Sequence, residues 1–458
     1  MSEAYEFSLK IRGLARLACP AAALVPGLAQ ACALPPSVLL TLPTDTYITA
    51  AALTVALTAV VGALSGRLPE FVSHKLAEIR PGALTTVTSY LSFLAFLGLV
   101  LVGLLGNRDP MHNLMTLVFW TGVWIALPLA SMLCGNLWAV VTPWAGPVRI
   151  ARALLRRQRG IGLSRCGHWP AVLGLAGFAW FQSVSLYPDD PAVLAKLALT
   201  YWAVIFVLAV LEGEAFLERG EFLTVLFTMI SRVSPLWIES RGDRAQLCAG
   251  FPGAQVLRMA PLSTSAVVFV TLALAALTFD GLAETFWWLA LIGENPLEPA
   301  GRSAVMMANT LGLLAVWVVT LALILGVIRA GRLAAGPVAL SFLAIAAGYH
   351  AAHYLVMLLT AGQYTLAALN DPLFSGESWL GLPPFYVSFG FLTDPRIMPL
   401  IYAFQFTAIL AAHLLAVVLA LKLAGEGASR LRAHLPLTGL MVGYTILGLW
   451  LLSTAKAG

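Results

Sequence analysis

In the run Tyr349-His350-Ala351-Ala352-His353-Tyr354 two histidines stand at i and i+3, which puts both imidazoles on one face of a helix. Two imidazoles so spaced can ligate one divalent metal ion. The run lies inside a long apolar segment. An ionisable group there costs several kcal/mol unless it is paired or hydrated, so each is a functional candidate. Asp280, in Phe279-Asp280-Gly281, and Asp371, in Asn370-Asp371-Pro372, are the carboxylates expected to reach the pair as third ligand or general base. Gln363 is the expected orienting group. His112, Gln405 and His413 are further candidates, with Asp109, Asn113 and Gln182 as additional polar groups converging from the same side. Gln405 falls near the depth of the histidine pair, and His413 lies roughly 10 Å deeper at the rise of a helix. One metal ion therefore does not take all three histidines, and His413 marks a second site or a hydrogen bond. For each of these residues the structural alternative is a helix cap or a bond to a neighbouring helix.

The elements that carry these groups follow from composition. Of 458 residues, 60% are hydrophobic and only 11% charged, and the mean hydropathy is +0.87. A soluble globular chain is about 25% charged. The composition excludes a disordered protein, a nucleic-acid-binding domain, a secreted disulfide scaffold and nearly all soluble enzymes. The five cysteines show no CxxC and no metal spacing.

The sequence predicts an all-α, polytopic membrane protein with about ten spanning helices after an N-terminal signal-like segment. Residues 1–31 carry Lys10, Arg12 and Arg16, then a short apolar stretch from Leu14 to Leu28, then Ala29-Gln30-Ala31, the pattern of a cleavable signal peptide. Residues 32–458 form one transmembrane domain. Its apolar stretches run over 45–66, 84–106, 111–134, 169–187, 194–213, 262–280, 303–328, 335–360, 397–421 and 437–455, each near the ~20 residues that cross a bilayer core.

Charge sorts by loop. Nineteen Lys and Arg fall in the loops after the odd-numbered spans and five on the opposite side, where ten Asp and Glu collect. The positive-inside rule then puts both mature termini outside. The long outer loops are 281–302 and 361–396, and the basic inner loops are 145–168 and 214–261. The expected partners are the lipid bilayer and a small apolar or cationic ligand from the acidic outer side, with no nucleic acid. Val148 to Arg159 reads as a basic amphipathic strip on the inner surface. Glu212, Glu214, Glu218 and Glu221, with Arg219 and Arg232 nearby, read as a solvated interfacial ion-pair network, with a proton path as the alternative. The apolar stretch 222–233 is too short to span and reads as re-entrant or interfacial. Asp109, Asp190 and Asp394, each before Pro, are expected to cap helices entering the membrane. Gly439 and Gly443 form a GxxxG face suited to close packing, within the chain or between copies.

Several stretches in this order resemble a family of bacterial integral membrane proteins labelled fenitrothion hydrolase-like. They are Gly135-Asn136-Leu137-Trp138 with Thr142-Pro143-Trp144; Trp169-Pro170-Ala171-Val172 with Gly177-Phe178-Ala179-Trp180; Gly220-Glu221-Phe222; Phe279-Asp280-Gly281; His353-Tyr354 with Gly362-Gln363 and Asp371-Pro372; Ala412-His413; and Met441-Val442-Gly443-Tyr444-Thr445. The chain departs from the family pattern at Leu421-Lys422, where the family has His-Asp, and at Thr142, where it has Asn. The resemblance implies a multispanning protein of the bacterial plasma membrane that hydrolyses organophosphate triesters. A divalent ion on His350 and His353 would polarise the P=O bond and lower the pKa of a water nucleophile. A membrane transporter or channel for a metal ion or small solute is the second expectation. A haem-binding redox subunit, with two of His350, His353 and His413 as axial ligands, is the third.

Overall fold

With no water in a bilayer core to satisfy N–H and C=O groups, an apolar stretch of spanning length must bond its backbone internally, as a helix. The structure is a computed structural model that describes residues 44–79, 83–241, 244–298, 301–381, 383, 386–424 and 430–456. The expected signal segment lies outside these residues. Among them, 74% of the structure is helical, and nine helices are long and apolar enough to cross a membrane. The chain is an all-α polytopic helical protein.

The elements run α1 (Thr44–Ser65), β1 (Ser73–Ile79), α2 (Ala83–Leu105), α3 (Leu114–Cys134), α4 (Ala145–Leu154), α5 (Trp169–Val184), α6 (Pro191–Glu212), α7 (Phe222–Ile230), β2 (Leu236–Arg241), β3 (Arg244–Gly250), α8 (Thr264–Ala283), α9 (Arg302–Ala330), α10 (Ala335–Asn370), α11 (Met398–Leu423) and α12 (Arg430–Ser453). The expected fourth span, α5, has 16 residues, about 24 Å of helix, and falls short of a ~30 Å core. In the other direction α10 has 36 residues. It continues past residue 360 and takes up Gln363 and Asn370, which the sequence reading assigned to a loop.

α8 and α10 are the most thoroughly buried spans. α8 is apolar on every side and built largely of Ala, Val, Leu and Thr, the pattern of a helix enclosed by others. By contrast α1, α2 and α9 expose rows of Leu and Val such as Leu53, Leu57, Val61, Leu91, Leu94, Leu311 and Val318, a surface matched to lipid tails. α10 and α11 approach closely because Gly348 has no Cβ: an added one would collide with the Ala412 methyl.

α3 is interrupted. Residues Val118–Ala126 form a π-helical stretch, and the Leu127 N–H bonds the Gly122 carbonyl, five residues back. Pro128 follows, and it has no amide for the Trp124 carbonyl. Such π segments inside α-helices recur at functional sites.

The 214–261 region is not a plain loop. β2 and β3 pair antiparallel with Leu236 opposite Ala249, and β1 joins β3 on its other edge, giving the order β1-β3-β2. Trp237 and Cys248 face each other across the ladder and are buried with Ala254. The sheet meets α3 at Gly135, whose φ is +88°. A Cβ there would lie 3.0 Å from the Leu236 carbonyl oxygen.

The basic strip also does more than lie on a surface. α4 buries Val148, and its arginines close the C-terminal end of α6. Arg152 donates to the Val210 carbonyl at 2.8 Å and Arg157 to the Leu211 carbonyl at 3.1 Å, while Arg149 pairs with Glu214 at 2.9 Å. Cations there complement the negative end of the helix dipole.

Candidate functional site

Asp280 lies one turn from the end of α8, and α10 passes it with His353 and Tyr354. His353 Nε2 is 3.0 Å from Asp280 Oδ2, and the Tyr354 hydroxyl donates to the same oxygen at 2.7 Å. Gln182 of α5 donates from Nε2 to the Tyr354 oxygen at 2.8 Å. Arg302, at the start of α9, donates to the Gln182 and Ser185 carbonyls and so fixes the end of α5. Four spanning-region elements thus hold one chain, Gln182 to Tyr354 to Asp280 to His353. Little of the Asp280–His353 contact is open to solvent: the side chain of His353 is 6% exposed and that of Asp280 16%.

Aromatic rings wall the chain. Tyr349 stacks on His353 at 5.4 Å between centroids, and His350 meets Tyr354 edge-on at 4.7 Å. Trp124, from the π stretch of α3, stands edge-on to His350 at 5.7 Å. A cavity of about 30 Å³ opens beside them, lined by Trp124, Gln182, His350 and Tyr354 among apolar side chains.

Unsatisfied polar atoms gather here. His350 Nε2, His353 Nδ1, the Tyr349 hydroxyl and Trp124 Nε1 are buried without a hydrogen-bond partner among the described residues. A buried unpaired polar group costs about 1–3 kcal/mol, and native folds tolerate few of them. Their concentration around one carboxylate marks a functional place.

The sequence-predicted residues divide. Asp280, His350, His353 and Gln182 come together. Asp371 does not reach the pair: it sits at the C-terminal end of α10 and accepts from the Ser375 and Gly376 amides at 2.9 and 2.7 Å. Burial opposes its charge, but the Ser375 and Gly376 amides outweigh that and hold its carboxyl below the ordinary range. Gln363 ties the Ser388 backbone to α10, donating to its carbonyl at 3.0 Å and accepting from its amide at 2.9 Å. His112 bonds Asp109 at 2.7 Å on an exposed surface and packs on Phe374. Gln405 donates to the Ala352 carbonyl at 2.8 Å, pinning α11 to α10. His413 is buried one layer away, with Nδ1 2.8 Å from the Ile409 carbonyl. The caps expected of Asp109 and Asp190 are present, on the Met111 amide and on the Ala192 and Val193 amides. Gly439 and Gly443 have nothing within 4 Å of a built Cβ, so the GxxxG face packs against no described part of the chain.

The inner acidic cluster is corrected. Glu221 is fully buried rather than solvated. It caps α7, accepting from the Leu223 and Thr224 amides at 2.9 and 2.6 Å, from the Thr224 hydroxyl at 2.7 Å and from the Tyr201 hydroxyl at 2.7 Å. Glu212 likewise accepts three amides, from Gly162, Leu163 and Ser164.

The sequence reading gave no role to Tyr349, Tyr354, Trp124 or Arg302. The first two flank the histidines directly, and Pro128 behind Trp124 was the available sign of a broken helix.

The described residues contain no group of three His, Cys, Asp or Glu able to hold a metal ion. His353 Nε2 is engaged by Asp280, and of the two histidines His350 lines the cavity. The fold and site together define a multi-pass helical membrane protein with a buried carboxylate–imidazole–phenol chain. No protein-family model, curated protein or solved structure matches the chain, so the resemblance to the fenitrothion hydrolase-like family rests on its residues alone.

Proposed function

We propose that the chain is a proton-linked transporter of the bacterial plasma membrane that moves a small ion or solute. Asp280 and His353 bind and release the coupled proton. The observation that carries this reading is the Asp280–His353–Tyr354–Gln182 chain itself, buried between spans and bordered by unpartnered imidazole nitrogens. Intramembrane carboxylate and imidazole groups of this kind form proton relays. Protonated as a pair, Asp280 and His353 are a carboxylate and an imidazolium with no net charge; loss of that proton leaves one negative charge that favours a cation or a rearrangement.

Interrupted helices support the same reading. The π stretch of α3 and the short buried α7 leave non-α backbone and helix ends inside the bundle, as in transporters built on broken helices. The cavity of about 30 Å³ beside the chain admits a water-sized guest, which suits a small ion. The sorting of basic residues supports an orientation with the sheet on the cytoplasmic side.

Proteoliposomes with a trapped pH dye provide the test. Alkali cations, divalent cations and small carboxylates are added one at a time. An internal pH change that depends on one of them and is lost in Asp280→Asn supports the reading. No such response from the wild type, or one that survives in Asp280→Asn, overturns it.

A further inference from the structure

Beyond the ion pair, Tyr349 of α10 and His413 of α11 line a second cavity, of about 10 Å³, with Thr278 of α8 and Tyr444 of α12. The carbonyl of Ile409 faces His413 Nδ1 at 2.8 Å. A carbonyl only accepts, so Nδ1 carries the hydrogen and the neutral ring presents a lone pair at Nε2. That Nε2 and the Tyr349 hydroxyl are both buried and lack a partner among the described residues. Thr278 and Tyr444 already donate their hydroxyl hydrogens, to Leu274 and Thr320, and keep oxygen lone pairs for a donor in the cavity.

Tyr349 faces the ion pair as well. Its ring lies 13° from parallel with the His353 ring. A Cβ on Gly281, immediately after Asp280, would collide with the Tyr349 hydroxyl and lie 3.5 Å from His353 Cε1, an ordinary contact. Glycine at 281 leaves room for that hydroxyl.

We propose that the second cavity binds one water molecule and makes His413 a proton-accepting station joined through Tyr349 to the Asp280–His353 pair; this rests on the transport reading above. A site of this size and polarity matches one water with two to four polar partners. The water donates to His413 Nε2 and accepts from the Tyr349 O–H. Its second hydrogen meets the oxygen of Thr278 or Tyr444. In the transfer, His413 Nε2 takes a hydrogen from the water, the water takes the Tyr349 hydrogen, and the Tyr349 oxygen takes the proton given up by the Asp280–His353 pair once the stacked His353 ring turns within hydrogen-bond reach; the two groups stack here without a bond between them. One proton moves, and tyrosine and water are restored. No oxidant or further reactant enters. The step runs away from the Asp280 end of α8, toward the sheet end of the bundle.

The experiment is exchange at the His353 ring, followed by nitrogen-15 histidine NMR of the full chain in detergent after transfer to D₂O. Tyr349→Phe and His413→Gln should each slow exchange of the His353 N–H about a hundredfold, the scale of losing a proton-transfer group. The double variant should be no slower than either. His413→Gln keeps a polar group in the cavity, so a folded protein is retained even if a purely apolar replacement fails. Wild-type exchange in both single variants overturns the relay. That result, together with a solute response lost in Asp280→Asn, leaves the transport reading standing; slowed exchange without any solute response removes transport and keeps the relay.

Discussion

Asp280 and Glu221 are both carboxylates enclosed by helices, and their surroundings differ in kind. Glu221 accepts four hydrogen bonds, two of them from backbone amides at the start of α7. Its charge is spread over fixed donors, and no buried polar atom of Glu221, Tyr201 or Thr224 is left over. Asp280 has two partners, and both are side chains that can exchange protons. Around it lie four orphaned polar atoms. A saturated carboxylate is a structural cap; an undersaturated one among titratable neighbours is placed to change its charge. Burial alone does not separate the two.

Substitutions test that contrast. The largest effect is expected at Asp280: Asp280→Asn should lower solute-dependent proton movement in vesicles by about a hundredfold or more while the thermal midpoint in detergent changes little. The reverse is expected at Glu221. Glu221→Ala removes a cap and strands Tyr201 and Thr224, so it should cost about 3 kcal/mol in unfolding, with transport per folded molecule unchanged. A Glu221 variant that stays stable but loses transport would erase the distinction. Tyr354→Phe comes next. It cuts Gln182 from Asp280 without removing the ion pair, and should slow transport by about tenfold and cost about 1 kcal/mol of stability; equal loss to Asp280→Asn would show that the phenol, not the pair, carries the proton.

The smallest effect is at Asp190, a cap on the membrane surface. Burial opposes its charge, but the Val193 amide and Arg108 outweigh that and hold its carboxyl below the ordinary range. Because the folded value lies below the unfolded one, its stabilisation is full above the ordinary carboxylate range and is lost as pH falls through the lowered value. Thermal midpoints of wild type and Asp190→Asn should therefore converge as pH falls below the ordinary carboxylate range of about 4. Curves that stay parallel below that range would remove Asp190 from the acid response.

Parts of this contrast were legible in the sequence. The i, i+3 histidines stood out because helical spacing is local, and Asp280 stood out because it ends an apolar span on the side where the histidines lie. Glu221 was misread because a hydropathy pattern records its charge and not the four donors that meet it. Asp371 and Gln363 were drawn toward the site by their place after His353; in the structure α10 simply continues, and both serve the chain leaving it. The sheet went unseen because three strands of six or seven residues have no spanning-length signal, and β1 is separated from its partner β3 by the helices α2 to α7.

By itself the sequence determined that this is a polytopic helical membrane protein. Spanning length and hydropathy are properties of one contiguous stretch, and a bilayer leaves such a stretch only the helix. Tertiary structure alone decided which polar groups meet. Asp280 and His353 are 73 residues apart and Gln182 and Tyr354 are 172 apart, and their pairing depends on how α5, α8 and α10 pack, with glycine at 281 leaving room for the Tyr349 hydroxyl between α8 and α10. Whether a buried charge is satisfied or left ready to react is set by those contacts, and no local pattern carries them.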